Sequence, residues 1–183
     1  MGTTTFSGPV KSDNGFGKTL ATAPGTGITA GTGTVCVNSA IRQGDVFYTS
    51  ILIDLTGLNS EAAGDIIGVD GSTNAAHIGQ ITAATNGTIL AGQITCYEVP
   101  AGGDPDIDLY YATEATGTEG SAIADLTETQ VTNGGDHTLG GVDVFLAGVV
   151  PAADSYLYLV DQGGTSATYT AGRLLIEMWG YSA

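Results

Sequence analysis

Apolar and polar side chains alternate along this chain with a period of two, in short runs, and nowhere recur at helical spacing over a long window. Such alternation puts one set of side chains on each face of an extended strand. The clearest run is residues 45–56. There Phe47, Thr49, Ile51, Ile53 and Leu55 share one face, while Tyr48, Ser50, Asp54 and Thr56 fall mostly on the other. Residues 172–181 set Leu174, Ile176 and Met178 against Arg173, Glu177 and Trp179. Residues 106–111 set Ile107, Leu109 and Tyr111 against Asp106, Asp108 and Tyr110. In 142–146, Val142, Val144 and Leu146 oppose Asp143, and in 155–160 Leu157 and Leu159 oppose Tyr156 and Tyr158. Weaker strands are predicted over 33–38, 77–82 and 89–99, and residues 121–130 have room for a helical turn or two. Clusters such as Gly102-Gly103-Asp104-Pro105, Asn133-Gly134-Gly135-Asp136 and Asp161-Gln162-Gly163-Gly164 separate the runs and supply positive φ. Many short strands joined by such turns predict an all-β domain, an antiparallel β-sandwich or barrel of jelly-roll-like kind.

The first 25 residues break the pattern. They hold Gly8, Pro9, Gly15, Gly17, Pro24 and Gly25 with little alternation, and they read as an extended N-terminal arm. Residues 26–183 read as a single β-sandwich or barrel domain. Charge divides the same way. Lys11, Lys18 and Asp13 give the arm a net charge of +1, which leaves −16 of the total −15 on the body.

Composition narrows the function. With 183 residues and 42% hydrophobic content the chain is large enough to bury one core. Four Lys and Arg against 19 Asp and Glu cannot neutralise a run of phosphates, so nucleic acid is not an expected partner. The same balance argues against docking on anionic membrane. The N-terminus lacks a basic and an apolar segment of signal-peptide type, and no apolar run approaches the ~18 residues of a membrane span. Synthesis in a cytosol is the expectation. Cys36 and Cys96 then read as two buried thiols in preference to a disulfide, though pairing stays open. Two His, two Cys and four cations leave little from which to build an active site, so a non-enzyme without a cofactor is expected.

Each candidate chemical motif has a plainer reading. Gly17-Lys18-Thr19 ends like a phosphate-binding loop, but Ser12 stands where that pattern needs glycine. Asp104, Asp106 and Asp108 offer the oxygen ligands that calcium takes. An EF-hand loop would need glycine at Leu109 and glutamate at Ala115, so the plainer expectation is a turn aspartate followed by two on a solvent face. His77 and His137 have no Cys or His at ligand spacing, so no metal site is expected from them. Asn86-Gly87-Thr88 is a formal glycosylation sequon that needs export to matter. Tyr156, Tyr158, Trp179 and Tyr181 read as core or subunit-interface aromatics before they read as a platform for sugar.

Two stretches carry a resemblance. Thr5-Phe6-Ser7-Gly8-Pro9-Val10-Lys11-Ser12 followed by Asn14-Gly15-Phe16 resembles the opening of small virion proteins of tailed phages, marine ones especially. Tyr156-Leu157-Tyr158-Leu159-Val160 and the run from Thr168 to Tyr181 resemble their ends. Together the two stretches cover about a quarter of the chain. Some proteins of this kind resemble capsid decoration, or cement, proteins. The resemblance implies a compact β body, a homotrimer, on the outer capsid surface of the virion, with the arm touching the major capsid protein. Phe6, Pro9, Lys11, Phe16 and Lys18 are then the expected capsid contacts, and Tyr156, Tyr158, Trp179 and Tyr181 the expected subunit contacts. A tail or fibre component is the alternative, and a carbohydrate-binding β-sandwich module is a more distant one.

Overall fold

The computed structural model describes residues 18–20 and 22–182. Among the described residues strand accounts for 47% and helix for 7%, and antiparallel sheets pack into an all-β sandwich. In chain order the strands are β1 (Lys18–Leu20), β2 (Val35–Gln43), β3 (Val46–Asp54), β4 (Asn59–Ser60), β5 (Gly79–Gln80), β6 (Thr88–Ala101), β7 (Ile107–Ala112), β8 (Glu128–Gln130), β9 (Val142–Val144), β10 (Tyr156–Asp161), β11 (Ala167–Thr168) and β12 (Ala171–Tyr181). One sheet has six strands in the order β1-β2-β3-β12-β6-β9, a second has four in the order β5-β10-β7-β8, and β11 pairs with β4. Two single-turn helices, α1 (Thr26–Thr29) and α2 (Ala83–Asn86), and a 3-10 turn at Ile123–Asp125 complete the chain.

The inner face of the six-stranded sheet follows the alternation closely. Phe47, Thr49, Ile51 and Ile53 of β3, Leu174, Ile176 and Met178 of β12, and Ile94 and Cys96 of β6 are buried. All but Phe47 and Thr49 meet Leu109, Leu157 and Leu159 from the second sheet in one continuous core. The helical turn expected within 121–130 is the 3-10 turn, and it is followed at once by β8.

Three strands depart from the expected polarity. In β10 both faces are buried, and Tyr158 is fully enclosed instead of opposing Leu157 and Leu159 at the surface. The loop after β7 covers it: Tyr158 Oη donates to the Glu114 carbonyl at 2.8 Å and accepts from the Gly117 amide at 3.3 Å. In β7, Asp108 is buried beside Ile107 and Leu109 and does not face solvent. Its oxygens accept from Gln130 Nε2 at 2.8 Å, Thr132 Oγ1 at 3.2 Å and the Gly134 amide at 3.3 Å, which offsets the cost of burying it. In β9 the expected inner face is outward, with Val142 49% and Val144 67% exposed.

The register also settles the cysteines. Cys36 pairs with Ile53, Ile53 with Leu174, and Leu174 with Cys96. Three inter-strand spacings of about 4.8 Å separate the two thiols, well beyond disulfide reach. Both are free, Cys96 buried and Cys36 half-buried. Burial pushes the Cys36 thiol up to about 12.

The proposed arm divides. Lys18–Leu20 pairs antiparallel with Ala40–Arg42 as the edge strand of the chain's own sheet. Lys18, expected as a capsid contact, is therefore in this sheet by its backbone. Phe6, Pro9, Lys11 and Phe16 lie outside the described residues.

Candidate functional site

The outer face of the six-stranded sheet is the feature that stands apart from an ordinary solvent-facing sheet. Among the described residues, ten of the thirteen exposed large apolar side chains project from it: Val35, Val37 and Ile41 of β2, Val46 of β3, Leu90 and Tyr97 of β6, Val142 and Val144 of β9, and Trp179 and Tyr181 of β12. Strand register lines them up in rows. Val37, Leu52, Leu175, Thr95 and Val142 lie side by side across five strands. A second row runs Ile41, Tyr48, Trp179, Ala91, and the Tyr48 and Trp179 rings sit 6.0 Å apart.

The charged groups on this face find partners within it, neutral donors for Glu177 and an ion pair for Arg173. Between the two apolar rows lies Glu177, whose Oε1 accepts from Tyr48 Oη at 2.7 Å and whose Oε2 accepts from Gln93 Nε2 at 3.0 Å. Burial and then the Glu177 hydrogen bond push the Tyr48 phenol up to about 12, so it remains a donor at any ordinary pH. At the end of the face Arg173 Nε donates to Asp54 at 2.9 Å and lies 3.5 Å from Glu98. A groove of about 540 Å³ extends the face at the β9 edge, walled by Leu90, Val144, Leu146 and Trp179. Gly92 floors it, because a Cβ there would meet the Phe145 ring at 2.3 Å.

A second cluster gathers at one end of the four-stranded sheet. Asp104 and Asp108 are buried and Asp106 is half-buried, so the expectation of two aspartates on a solvent face is corrected. They do not form a shared chelate. Asp104 Oδ1 accepts from the Asp106 amide at 2.9 Å and Oδ2 from the Thr165 amide at 3.0 Å, while Asp108 faces Gln130, Thr132 and Gly134. Asp161, which the alternation of β10 had not singled out, joins Asp104. Its Oδ1 accepts from Gly163 and Gly164 at 3.0 Å each, and its Oδ2 is buried with no hydrogen-bond partner. Burial pushes the Asp161 carboxyl up to about 6, and the Asp104 and Asp106 charges add to the rise. Nearby, His137 is buried with Nδ1 3.1 Å from Asp143 Oδ2 and Nε2 2.9 Å from the Ile107 carbonyl. Both partners are acceptors, so the clamp is complete only when both ring nitrogens carry protons.

A third group, Glu61, Asp70 and Glu119, brings one carboxylate oxygen from each residue within 4.8 Å of the others. Asn59 Nδ2 donates to Glu61 and Glu119, and the Gly71 amide donates to Glu119. Glu61 and Asp70 lie in the long β4–β5 connection and Glu119 in the β7–β8 connection, a grouping that no spacing rule could have assembled.

Of the aromatic residues expected at a subunit interface, only Trp179 and Tyr181 lie on the outer face, 37% and 41% exposed. Tyr158 is buried, and Tyr156 lies half-buried on the other sheet with its ring 5.0 Å from His77. The four therefore do not form one surface. Asn86 of the sequon is 1% exposed, and its Nδ2 donates to buried Thr49, so it is closed to glycosylation once folded. Among the described residues no helix is long and apolar enough to cross a membrane. Compared with protein-family models, with curated proteins and with solved structures, the chain matches none.

Proposed function

We propose that this chain is a non-enzymatic structural protein of a tailed-phage virion, bound to the outside of the capsid as a decoration protein that associates with copies of itself. The observation that carries the reading is the outer sheet face, where apolar rows surround charged groups that already have hydrogen-bond or ion-pair partners on the face. Such a face suits contact with protein, because covering it leaves Glu177 and Asp54 with hydrogen-bond donors in place of lost water. The resemblance of the two ends of the chain to phage virion proteins supplies the setting. The net charge of −15 suits a protein held at high copy number, since self-repulsion keeps the free form soluble. The major capsid protein is the proposed partner, residues 1–17 are the proposed contact to it, and a homotrimer is the proposed assembly.

Purified particles test this directly. Quantitative mass spectrometry with particle imaging is expected to find hundreds of copies distributed over the head. Six copies, or a small multiple, at one vertex would move the protein to the tail, and none in the particle would refute the reading. Adding the purified chain to undecorated heads should restore occupancy, and deleting residues 2–17 should abolish it while leaving the body folded.

A further inference from the structure

Sheets that face water on one side ordinarily carry polar residues there. This one carries valine, isoleucine, leucine, tyrosine and tryptophan, and it has disarmed its own charges. Glu177 is the test case. A lone carboxylate in the centre of an apolar face normally needs water on both oxygens, and dehydrating it is costly. Here Tyr48 and Gln93, both from the same face, supply those two hydrogen bonds. Arg173 donates to Asp54 and faces Glu98 as an ion pair. The face is prepared to lose its water.

We infer that the occupant of this face is a second copy of the same chain. Charge favours that partner over a basic one. A basic partner would be drawn to the acidic cluster of Glu61, Asp70 and Glu119, which sits in the β4–β5 and β7–β8 connections and not on the strands of this sheet. Two copies, each strongly acidic, meet with least repulsion where charges are sparsest, and among the described residues this face carries Asp54, Glu98 and Glu177 against Arg173, three acids and one base of the chain's net −15. The size is also right. Four long strands with short edges, at ~4.8 Å spacing and ~3.3 Å per residue, cover roughly 600–700 Å². A standard interface buries about 800 Å² per partner, so the face comes close to the area that a specific contact needs. The inference names the surface used for self-association in the virion reading, but it stands on the face alone and is tested without a capsid.

Trp179 is the chain's single tryptophan and sits on this face, so its fluorescence reports coverage directly. The full chain is diluted from about 100 μM to 0.1 μM, and its mass by sedimentation and its emission maximum are followed together. A mass of two or three protomers at the high end is expected, falling to 18.3 kDa on dilution as the Trp179 emission shifts to the red. The variants Val37→Glu and Val144→Glu, each with an unchanged circular dichroism spectrum, should remain monomeric with red-shifted emission at every concentration. Should one variant misfold, the dilution series on the unaltered chain still decides. The inference is overturned by a monomer at 100 μM, by oligomers that both variants preserve, or by blue-shifted emission that does not respond to dilution, which would mean the face is covered from within one chain.

Discussion

Replacing Asp161 with asparagine should stabilise this protein, and by an amount that depends on pH. In the folded chain the carboxyl is fully buried and one of its oxygens has no partner. Its pKa is pushed up to about 6 by burial, against an ordinary 3.8. The folded state therefore holds the proton more tightly than the unfolded state does. Stability is highest below pH 4 and falls as pH rises through the window from about 4 to 6, the reverse of a salt-bridged aspartate. At ~1.4 kcal/mol per pKa unit, the full loss at pH 8 is at most about 3 kcal/mol, and about half of that has already been lost at pH 5. Asparagine keeps the oxygen that accepts from Gly163 and Gly164 and carries no charge to desolvate. Asp161→Asn should then raise Tm by roughly 6–10 °C at pH 8, with a gain about half as large at pH 5. Urea unfolding of both proteins across this range measures the difference. A gain independent of pH, or one that shrinks toward pH 8, would show that the buried charge is not what destabilises this corner.

Tyr158→Phe removes one donor and one acceptor from a buried pair of backbone groups, at Glu114 and Gly117, and should cost about 1–3 kcal/mol in a denaturant melt without altering oligomer mass. Gly87 has φ +68°, and a Cβ there would meet the Tyr181 carbonyl at 2.5 Å, so Gly87→Ala should lower stability by about 2 kcal/mol or more in the same assay. With Cys36 and Cys96 three strand spacings apart, reductant should leave Tm unchanged and both thiols should titrate with a thiol reagent after unfolding. Replacing His137 with phenylalanine leaves the Ile107 carbonyl and Asp143 without their partner, and should loosen the 133–141 loop, seen as faster amide exchange at β9.

The strands with one buried face were legible because burial and alternation say the same thing there. Residues 46–54 and 171–181 are inside and outside where the pattern puts them. The pattern misled where a strand has more than two environments. Tyr158 reads as outward because Leu157 and Leu159 flank it, but a loop with no strand signal folds over that side. Asp108 reads as solvent-facing because it is charged, and only Gln130, Thr132 and Gly134, more than 20 residues away, make its burial tolerable. Val142 and Val144 read as inward because they are apolar, yet their face is the one the sheet leaves open. That reversal was the signal for the site, and a sequence cannot show it, since an apolar face for a partner and an apolar face for a core have the same alternation. Trp179 and Tyr181 were picked out by residue type, whereas Tyr48 and Glu177, which make the face dry, needed the register of three strands.

The position of β12 bears on how the chain is made. It lies between β3 and β6 at the centre of the six-stranded sheet, yet it is the last of the described strands in the sequence. During synthesis β3 and β6 have no bridge between them until some 70 residues beyond Ala101 have followed. At ~5–20 residues per second the ribosome leaves that gap open for roughly 4–14 s. Throughout it, two long rows of backbone donors and acceptors face solvent beside Ile51, Ile53 and Ile94, within reach of other nascent copies. A protein expressed in large amounts is then most exposed to mispairing while it is being translated, and slower translation or a scarcity of chaperones should reduce its yield well before any loss of finished stability is measurable.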